Sequence, residues 1–357
     1  MSYKITINCL KFSSLAFFML FLQTGYGQVT KKNTKEIGLN SFQDLDDVVL
    51  RNQKLLGNNV VAMVWTDTLV YKHELGDFDS KTVVPIAAAS QWLTAALVMK
   101  MVDEGKLSLD DKVGQYLPIF DTYGKSYITI RHCLSHFTGI QTEGGGLFSK
   151  KKFASLEEEV EAFAKKEIKT NPGTEFSYSN IGPDIAARIV EIVSKKKFDM
   201  LIKQKLFNPM GMRKTTFSTL DASALNPSYG AQSTADEMIK FLKMLLNKGN
   251  YNGQRILSEA SVRELRRIQT SPELVKYAPK TAEGFSYALG SWVVDEGKEG
   301  EANSLAGAAI NGTWPLVDWC RGYALLILTK TLLPEQKKDV YLQAKDAMDE
   351  RLKNKCL

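Results

Sequence analysis

The stretch Ile86-Ala-Ala-Ala-Ser-Gln-Trp-Leu-Thr-Ala-Ala-Leu-Val-Met-Lys-Met-Val-Asp-Glu-Gly105 reads as one helix that Gly105 stops, and what flanks it sorts the rest of the chain. Upstream, Val60 to Trp65 and Thr68 to Lys72 are β-rich runs on either side of the polar pair Thr66-Asp67, which predicts a hairpin of an antiparallel sheet. Before them, Ser41 reads as the N-cap of a helix carrying Leu45, Val48, Val49, Asn52 and Leu55, stopped by Gly57. Downstream, helical spacing recurs over 155–169, 183–195, 198–206 and 234–248. Strand character returns over 285–294 and 322–329, and a closing helix is expected over about 334–353. Strands at both ends with helices between them predict an α/β (α+β) fold: a sheet built from the two ends of the chain, with an all-helical part inserted. No period of about 20 to 50 residues recurs, so a repeat architecture is excluded.

A length of 357 residues exceeds what one core usually organises, so two sub-domains are expected. With 44% hydrophobic and 24% charged residues and 10 prolines, the chain is an ordinary globular one. Lys and Arg number 46 against 40 Asp and Glu, a net +6 too weak to call for nucleic acid. The cysteines (Cys9, Cys133, Cys320, Cys356) are too scattered for a disulfide framework, and no pair has the spacing of a thiolate zinc or redox site. The three histidines, His73, His132 and His136, form no H-E-x-x-H. There is no G-x-S-x-G either. No metal and no cofactor is expected.

The first 27 residues combine Lys4 and Lys11, the apolar run Leu15 to Leu22, and Gly25 and Gly27 before Gln28. These are the parts of a secretory signal peptide cleaved before Gln28. Loss of the two lysines takes the net charge to +4, and leaves three cysteines that cannot all pair. Residues 28–40 read as a polar, lysine-rich disordered leader. No later run reaches about 18 apolar residues, so the expectation is a secreted or periplasmic protein with no transmembrane segment after cleavage.

Several strings then occur in order: Leu97 to Asp111 with Tyr116-Leu-Pro118; Ile130-Arg-His-Cys-Leu-Ser-His136 with Gly139; Pro172-Gly-Thr-Glu-Phe-Ser-Tyr-Ser-Asn180; Pro209-Met-Gly-Met212 with Thr215; and Ser233-Thr-Ala-Asp236. Across roughly 58 to 330 this order resembles the serine β-lactamase and penicillin-binding-protein-like superfamily, closest to the branch that also holds esterases and D-amino-peptidases. The resemblance implies an antiparallel sheet flanked by helices, with 41–87 and 280–357 forming the sheet domain, 88–279 the helical domain, and a cleft between them.

It also implies a Ser-x-x-Lys pair at the start of a buried helix, one turn apart on one face, where the lysine takes the serine proton. The lysine position, fourteen residues before Gly105, is Gln91, and the serine position is Ala88. A methyl cannot attack a carbonyl and an amide is no base near neutral pH. Loss of the nucleophile alone costs a serine hydrolase on the order of 10⁶ in rate. Ser90 is about 200° round the helix from Ala88, and the residue three on from it is Leu93.

The family's Tyr-x-Asn element is present as Tyr178-Ser-Asn180; in relatives the tyrosine assists proton transfer and the asparagine holds substrate or lysine. Its third element, Lys-Thr-Gly or His-x-Gly, falls near Ser304-Leu-Ala-Gly-Ala308, where neither lysine nor histidine stands. Lys330-Thr331 follows its strand and is set aside. His132 and His136 match a structural segment and are expected to make core hydrogen bonds. Gly144-Gly-Gly146 is expected to be a flexible loop near the cleft, and Trp92 and Trp314 to be core. The expected protein is an inactive hydrolase homologue that binds a small-molecule, peptide or glycan ligand through Tyr178, Asn180, Ser90 and Gly307. The alternative is an active esterase or amidase rebuilt on Ser90 or Tyr178.

Overall fold

The structure is a computed structural model that describes residues 42–67, 70–142, 153–217, 224–308, 312–330 and 338–356. The signal peptide, the leader, Ser41 and the glycine run at 144–146 lie outside the described residues. Helix α1 (Gln43–Arg51) leads into the hairpin β1 (Val60–Thr66) and β2 (Val70–Leu75), then the short β3 (Val84–Pro85). A 3₁₀ turn over Ala87–Ala89 opens α2 (Ser90–Asp103). The helical middle follows as α3 (Ile119–Thr122), α4 (Ile130–Leu134), α5 (Leu156–Ala164), β4 (Phe176–Ser177), α6 (Ile181–Ser194) and α7 (Phe198–Ile202). Then come β5 (Gln232–Ser233), α8 (Ala235–Leu246), the small hairpin β6 (Asn250–Tyr251) and β7 (Gln254–Arg255), α9 (Glu259–Arg266) and β8 (Val275–Tyr277). The last part is β9 (Ser286–Tyr287), β10 (Trp292–Glu296), β11 (Ala302–Ala306), β12 (Trp314–Asp318), β13 (Tyr323–Thr329) and α10 (Asp339–Asp349).

Seven strands form one sheet in the order β2-β1-β13-β12-β11-β10-β9, antiparallel throughout. The interior strand β1, next to the edge strand β2, reads as an unbroken apolar run because both faces are covered, and alternate side chains enter different cores. Val61, Met63 and Trp65 pack into the cluster that holds α2, α6 and α8. Val60, Ala62 and Val64 pack into the one that holds α1 and α10. Strand β13 divides the same way, with Ala324, Leu326 and Leu328 on one side and Tyr323, Leu325 and Ile327 on the other.

Helix α2 is buried on every side from Ser90 to Met99 and ends at Gly105 with φ +65, the left-handed stop that glycine supplies without strain. Residues 37–357 form a single compact unit. Helix α8 lies on β1, β12 and β13 although its sequence falls in the segment expected to form the helical part.

Three expectations need correction. The strand run over 285–294 divides at Gly290, whose φ of +79 turns the chain between β9 and β10. The helix expected over 198–206 gives way after Ile202 to a wider π turn over Lys203–Phe207. The cysteines, read as forming no framework, still give one bridge: Cys320, after β12, is joined to Cys356, beyond α10, while Cys133 stays free and buried. By loop entropy a bridge of this span is worth about 4 kcal/mol, and it pins the end of the chain to the sheet.

Candidate functional site

Helix α2 is entered through a strained turn. Ala87 has φ +44, a conformation that costs a residue with a β-carbon on the order of 1–3 kcal/mol and persists only where its surroundings enforce it. The segment 227–231 supplies that enforcement. Ile86 N–H donates to Ala231 O at 2.9 Å, Ala231 N–H donates to Ser90 Oγ at 3.1 Å, and Thr94 Oγ1 donates to Pro227 O at 2.8 Å. Ser90 is therefore a strap point for the helix, and the structure does not bring it to the expected ligand group.

Ala88, only 5% exposed, packs in one cluster with Tyr178, Tyr229 and Tyr287. One turn on, the Gln91 Oε1 atom accepts from His136 Nε2 at 3.0 Å and from the Tyr287 hydroxyl at 3.1 Å. His136 Nδ1 accepts the backbone N–H of Ser179 at 3.4 Å, so the ring proton sits on Nε2, which faces both the glutamine oxygen at 3.0 Å and the Tyr287 hydroxyl at 3.1 Å. Burial holds the His136 pKa down, at about 3, and the ring is neutral. Gln91 Nε2, in a side chain 1% exposed, is left with no hydrogen-bond partner.

The rings close the group: His136 stands 4.6 Å from Tyr178 and 4.9 Å from Tyr287, and Tyr178 stands 5.2 Å from Trp292, centroid to centroid. The Tyr178 hydroxyl is hydrogen-bonded to that of Tyr229, and burial pushes its pKa well above the ordinary phenol value. No lysine or carboxylate in this group can take its proton. Asn180 caps α6, and its Nδ2 donates to Glu159 Oε1 at 3.3 Å and Asp184 Oδ2 at 3.1 Å. Both amide hydrogens are thus turned to carboxyls. Burial pushes Glu159 up to about 7, and burial followed by repulsion from Glu159 raises Asp184 well above its ordinary value.

Gly307 follows β11, its N–H on Pro315 O at 2.9 Å. A β-carbon there would meet Pro315 Cγ at 3.0 Å and Ala89 Cβ at 3.4 Å, so the strand end runs hard against the start of α2. Ala306, Gly307 and Ala308 offer that end nothing larger than a methyl. Trp92 and Trp314 are core. Among the described residues, one carboxylate trio, Asp295, Asp318 and Asp349, is close enough to hold an ion, and Lys345 already reaches into it.

The structure thus brings Ala88, Gln91, Tyr178 and Gly307 together and turns Ser90 and Asn180 to other tasks. Sequence reading missed Tyr229 and Tyr287, and expected core hydrogen bonds of His136 without naming its partners. His136 lies 45 residues from Gln91 and Tyr287 lies 196 away, separations at which no local pattern signals contact.

The profile of the Beta-lactamase family matches residues 53–348. The chain is 26% identical over 269 residues to the D-alanyl-D-alanine-carboxypeptidase/endopeptidase AmpH of Escherichia coli K12, covering 68% of each chain. It is 30% identical over 231 residues to penicillin-binding protein 4 of Amycolatopsis lactamdurans, covering 56% of this chain and 60% of that one. A Bacteroides dorei protein assigned as a beta-lactamase superposes with a TM-score of 0.76 at 25% identity, over 85% of this chain and 98% of that one.

Proposed function

From the premise that the chain belongs to the beta-lactamase family, we propose that it is an exported member that has given up covalent serine chemistry. In this reading it binds a small acyl, peptide or glycan ligand at the former catalytic position. The observation that carries it is the pair Ala88 and Gln91: a methyl stands where the nucleophile belongs, and an amide held by His136 and Tyr287 stands where the base belongs. The rebuilt-hydrolase alternative is disfavoured because the Ser90 hydroxyl is bound to Ala231 N–H and Tyr178 lacks a base. Export is supported by the leader sequence and by the Cys320–Cys356 bridge, a bond that persists in oxidising compartments.

Purified mature protein is expected to take no label from a fluorophosphonate probe and to turn over neither a nitrophenyl ester nor nitrocefin above the buffer rate. Label on Ser90 or Tyr178, or turnover abolished by Ser90→Ala, would overturn the reading in favour of an active hydrolase. Calorimetric titration with acylated dipeptides and cell-wall glycans then asks for the ligand itself.

A further inference from the structure

We infer that the loop 272–285 is a second binding site, which takes a small organic anion: a carboxylate or sulfonate carried on an apolar ring or chain. The inference stands apart from the ligand reading above and uses none of the packed group at the start of α2. The loop folds on itself. Ala282 N–H donates to Pro279 O at 2.8 Å and Phe285 N–H to Ala282 O at 3.1 Å, and Gly284, with φ +84, turns the chain into β9. Between β8 and that turn lies a cavity of about 470 Å³ whose lining comes entirely from residues 272–285, room enough for a small organic molecule. Val275, Tyr277, Ala278 and Phe285 supply its apolar surface, each half-buried against the core that holds α1 and α10. Tyr277 O accepts the Tyr178 N–H at 3.1 Å, so one wall is fixed to β4 although Tyr178 does not line the cavity.

The charge of the ligand follows from the lysines. Lys276 and Lys280 line the cavity, are exposed, and have no carboxylate partner among the described residues. Lys338 Nζ stands 5.2 Å from the centre of the Phe285 ring and beside Gly284, and it donates to a backbone oxygen, that of Glu283. Against these cations the lining offers the Glu283 carboxylate alone, because the neighbouring Glu273 turns to the Ser271 hydroxyl. The cavity of about 350 Å³ beside α9 makes the contrast. There Lys248 pairs with Glu259 at 2.8 Å, and Arg263 and Arg266 with Glu301 at 2.8 and 3.8 Å, so those cations already have their anions. A single exposed lysine is ordinary surface, but an unneutralised positive rim round an apolar recess is the complement of an anion with an apolar body.

The test uses 8-anilinonaphthalene-1-sulfonate and N-phenyl-1-naphthylamine, the same ring system with and without the sulfonate, titrated by fluorescence into ¹⁵N-labelled mature protein. The sulfonate is expected to bind saturably, at least roughly ten-fold tighter than the amine at low salt, and to lose most of that advantage at about 1 M salt. It is expected to shift the backbone amides of Lys276, Tyr277 and Gly284. Lys276→Ala with Lys280→Ala changes exposed side chains only, and is expected to weaken the sulfonate by about 3- to 10-fold and to leave the amine unchanged. The matching pair at the other cavity, Lys248→Ala with Lys298→Ala, is expected to leave both probes unchanged. No saturable binding, an amine that binds as tightly as the sulfonate, amide shifts confined to other segments, or unchanged affinity in the Lys276 and Lys280 variant overturns the inference. Each of those results leaves the reading of the former catalytic position standing, since that reading is tested by other ligands at other residues.

Discussion

On the sheet beneath α10, Lys345 reaches Asp295 at 2.6 Å and also pairs with Asp349, while Arg321 reaches Asp318 at 3.2 Å and Asp349 at 3.3 Å. At the start of α2 the polar groups are more deeply buried, and Gln91, His136, Tyr178, Tyr229 and Tyr287 carry no charge, whereas Asp295 and Arg321 in the ion cluster are partly exposed. The first cluster keeps its ions and balances them; the second, with glutamine at position 91, is a neutral network. This chain still builds and satisfies buried ion networks where they hold a helix to a sheet, so the missing charge at Gln91 is specific to the site and does not reflect a fold that tolerates no buried ions.

The comparison breaks first at Lys345. Lys345→Met leaves Asp295 and Asp349 facing one another, with Arg321 the remaining cation, and removing one partner of a buried pair costs about 3–5 kcal/mol. Because Asp295 is partly exposed and Arg321 still holds Asp318 and Asp349, the loss is expected at about 1–2 kcal/mol, read as a lower urea midpoint at unchanged slope. Asp295→Asn in the same chain is expected to recover part of it. A variant as stable as the parent would mean that the cluster contributes nothing and that the contrast with α2 is empty.

The reverse operation puts charge back at the site. Gln91→Lys places an amine between His136 and Tyr287, where burial lowers its pKa, and a cost on the order of 2 kcal/mol at pH 7 is expected, growing as pH falls and the amine charges. A depressed amine is also what a general base requires. Combined with Ala88→Ser, the chain is expected to acylate slowly at position 88 with a fluorophosphonate, seen as a single adduct by mass spectrometry. A folded double variant that stays unlabelled would place the remaining defect at the strand end, where Ala306, Gly307 and Ala308 offer no polar side chain.

Why some of this was legible in the sequence and some was not follows from range. Helix α2, its Gly105 stop and the β1–β2 hairpin announce themselves through local periodicity, and Tyr178 and Asn180 through a tripeptide in context. What Asn180 does was not legible, because its partners Glu159 and Asp184 sit 21 residues before and 4 after it and make no motif. Ser90 differs from Ala88 by two positions, enough to turn it from the tyrosines to the 227–231 strap. The Gln91 network needs three segments that meet only in the folded chain. The bridge between Cys320 and Cys356 likewise needs α10 laid against the sheet before their proximity exists.

The smallest effect concerns the carboxyls that hold Asn180, a third buried polar group between the two extremes. Glu159 faces Asn180 and Asp184, and the nearest cation on α6, Arg188, is occupied by Glu157 and by Glu191 at 3.0 Å. With its pKa pushed up to about 7 from 4.5 by burial, Glu159 binds a proton in the folded chain that the unfolded chain releases. The stability it lends is full below about pH 4.5 and is lost as pH rises through 7. His136 runs the other way: held at about 3 from 6.5 by burial, its contribution is present above 6.5 and lost as pH falls. Between 4.5 and 6.5 the two slopes oppose one another, and above 6.5 only the carboxyl slope remains. Glu159→Gln keeps an oxygen for Asn180 but carries no charge, so it is expected to stabilise by about 1 kcal/mol at pH 8 and by nothing at pH 4, measured as the difference in melting temperature from the parent across that range. A difference independent of pH would mean that Glu159 takes up its proton alike in the folded and unfolded chains, that the clamp on Asn180 is an ordinary anionic one at neutral pH, and that neutrality ends at Gln91 instead of extending behind Tyr178.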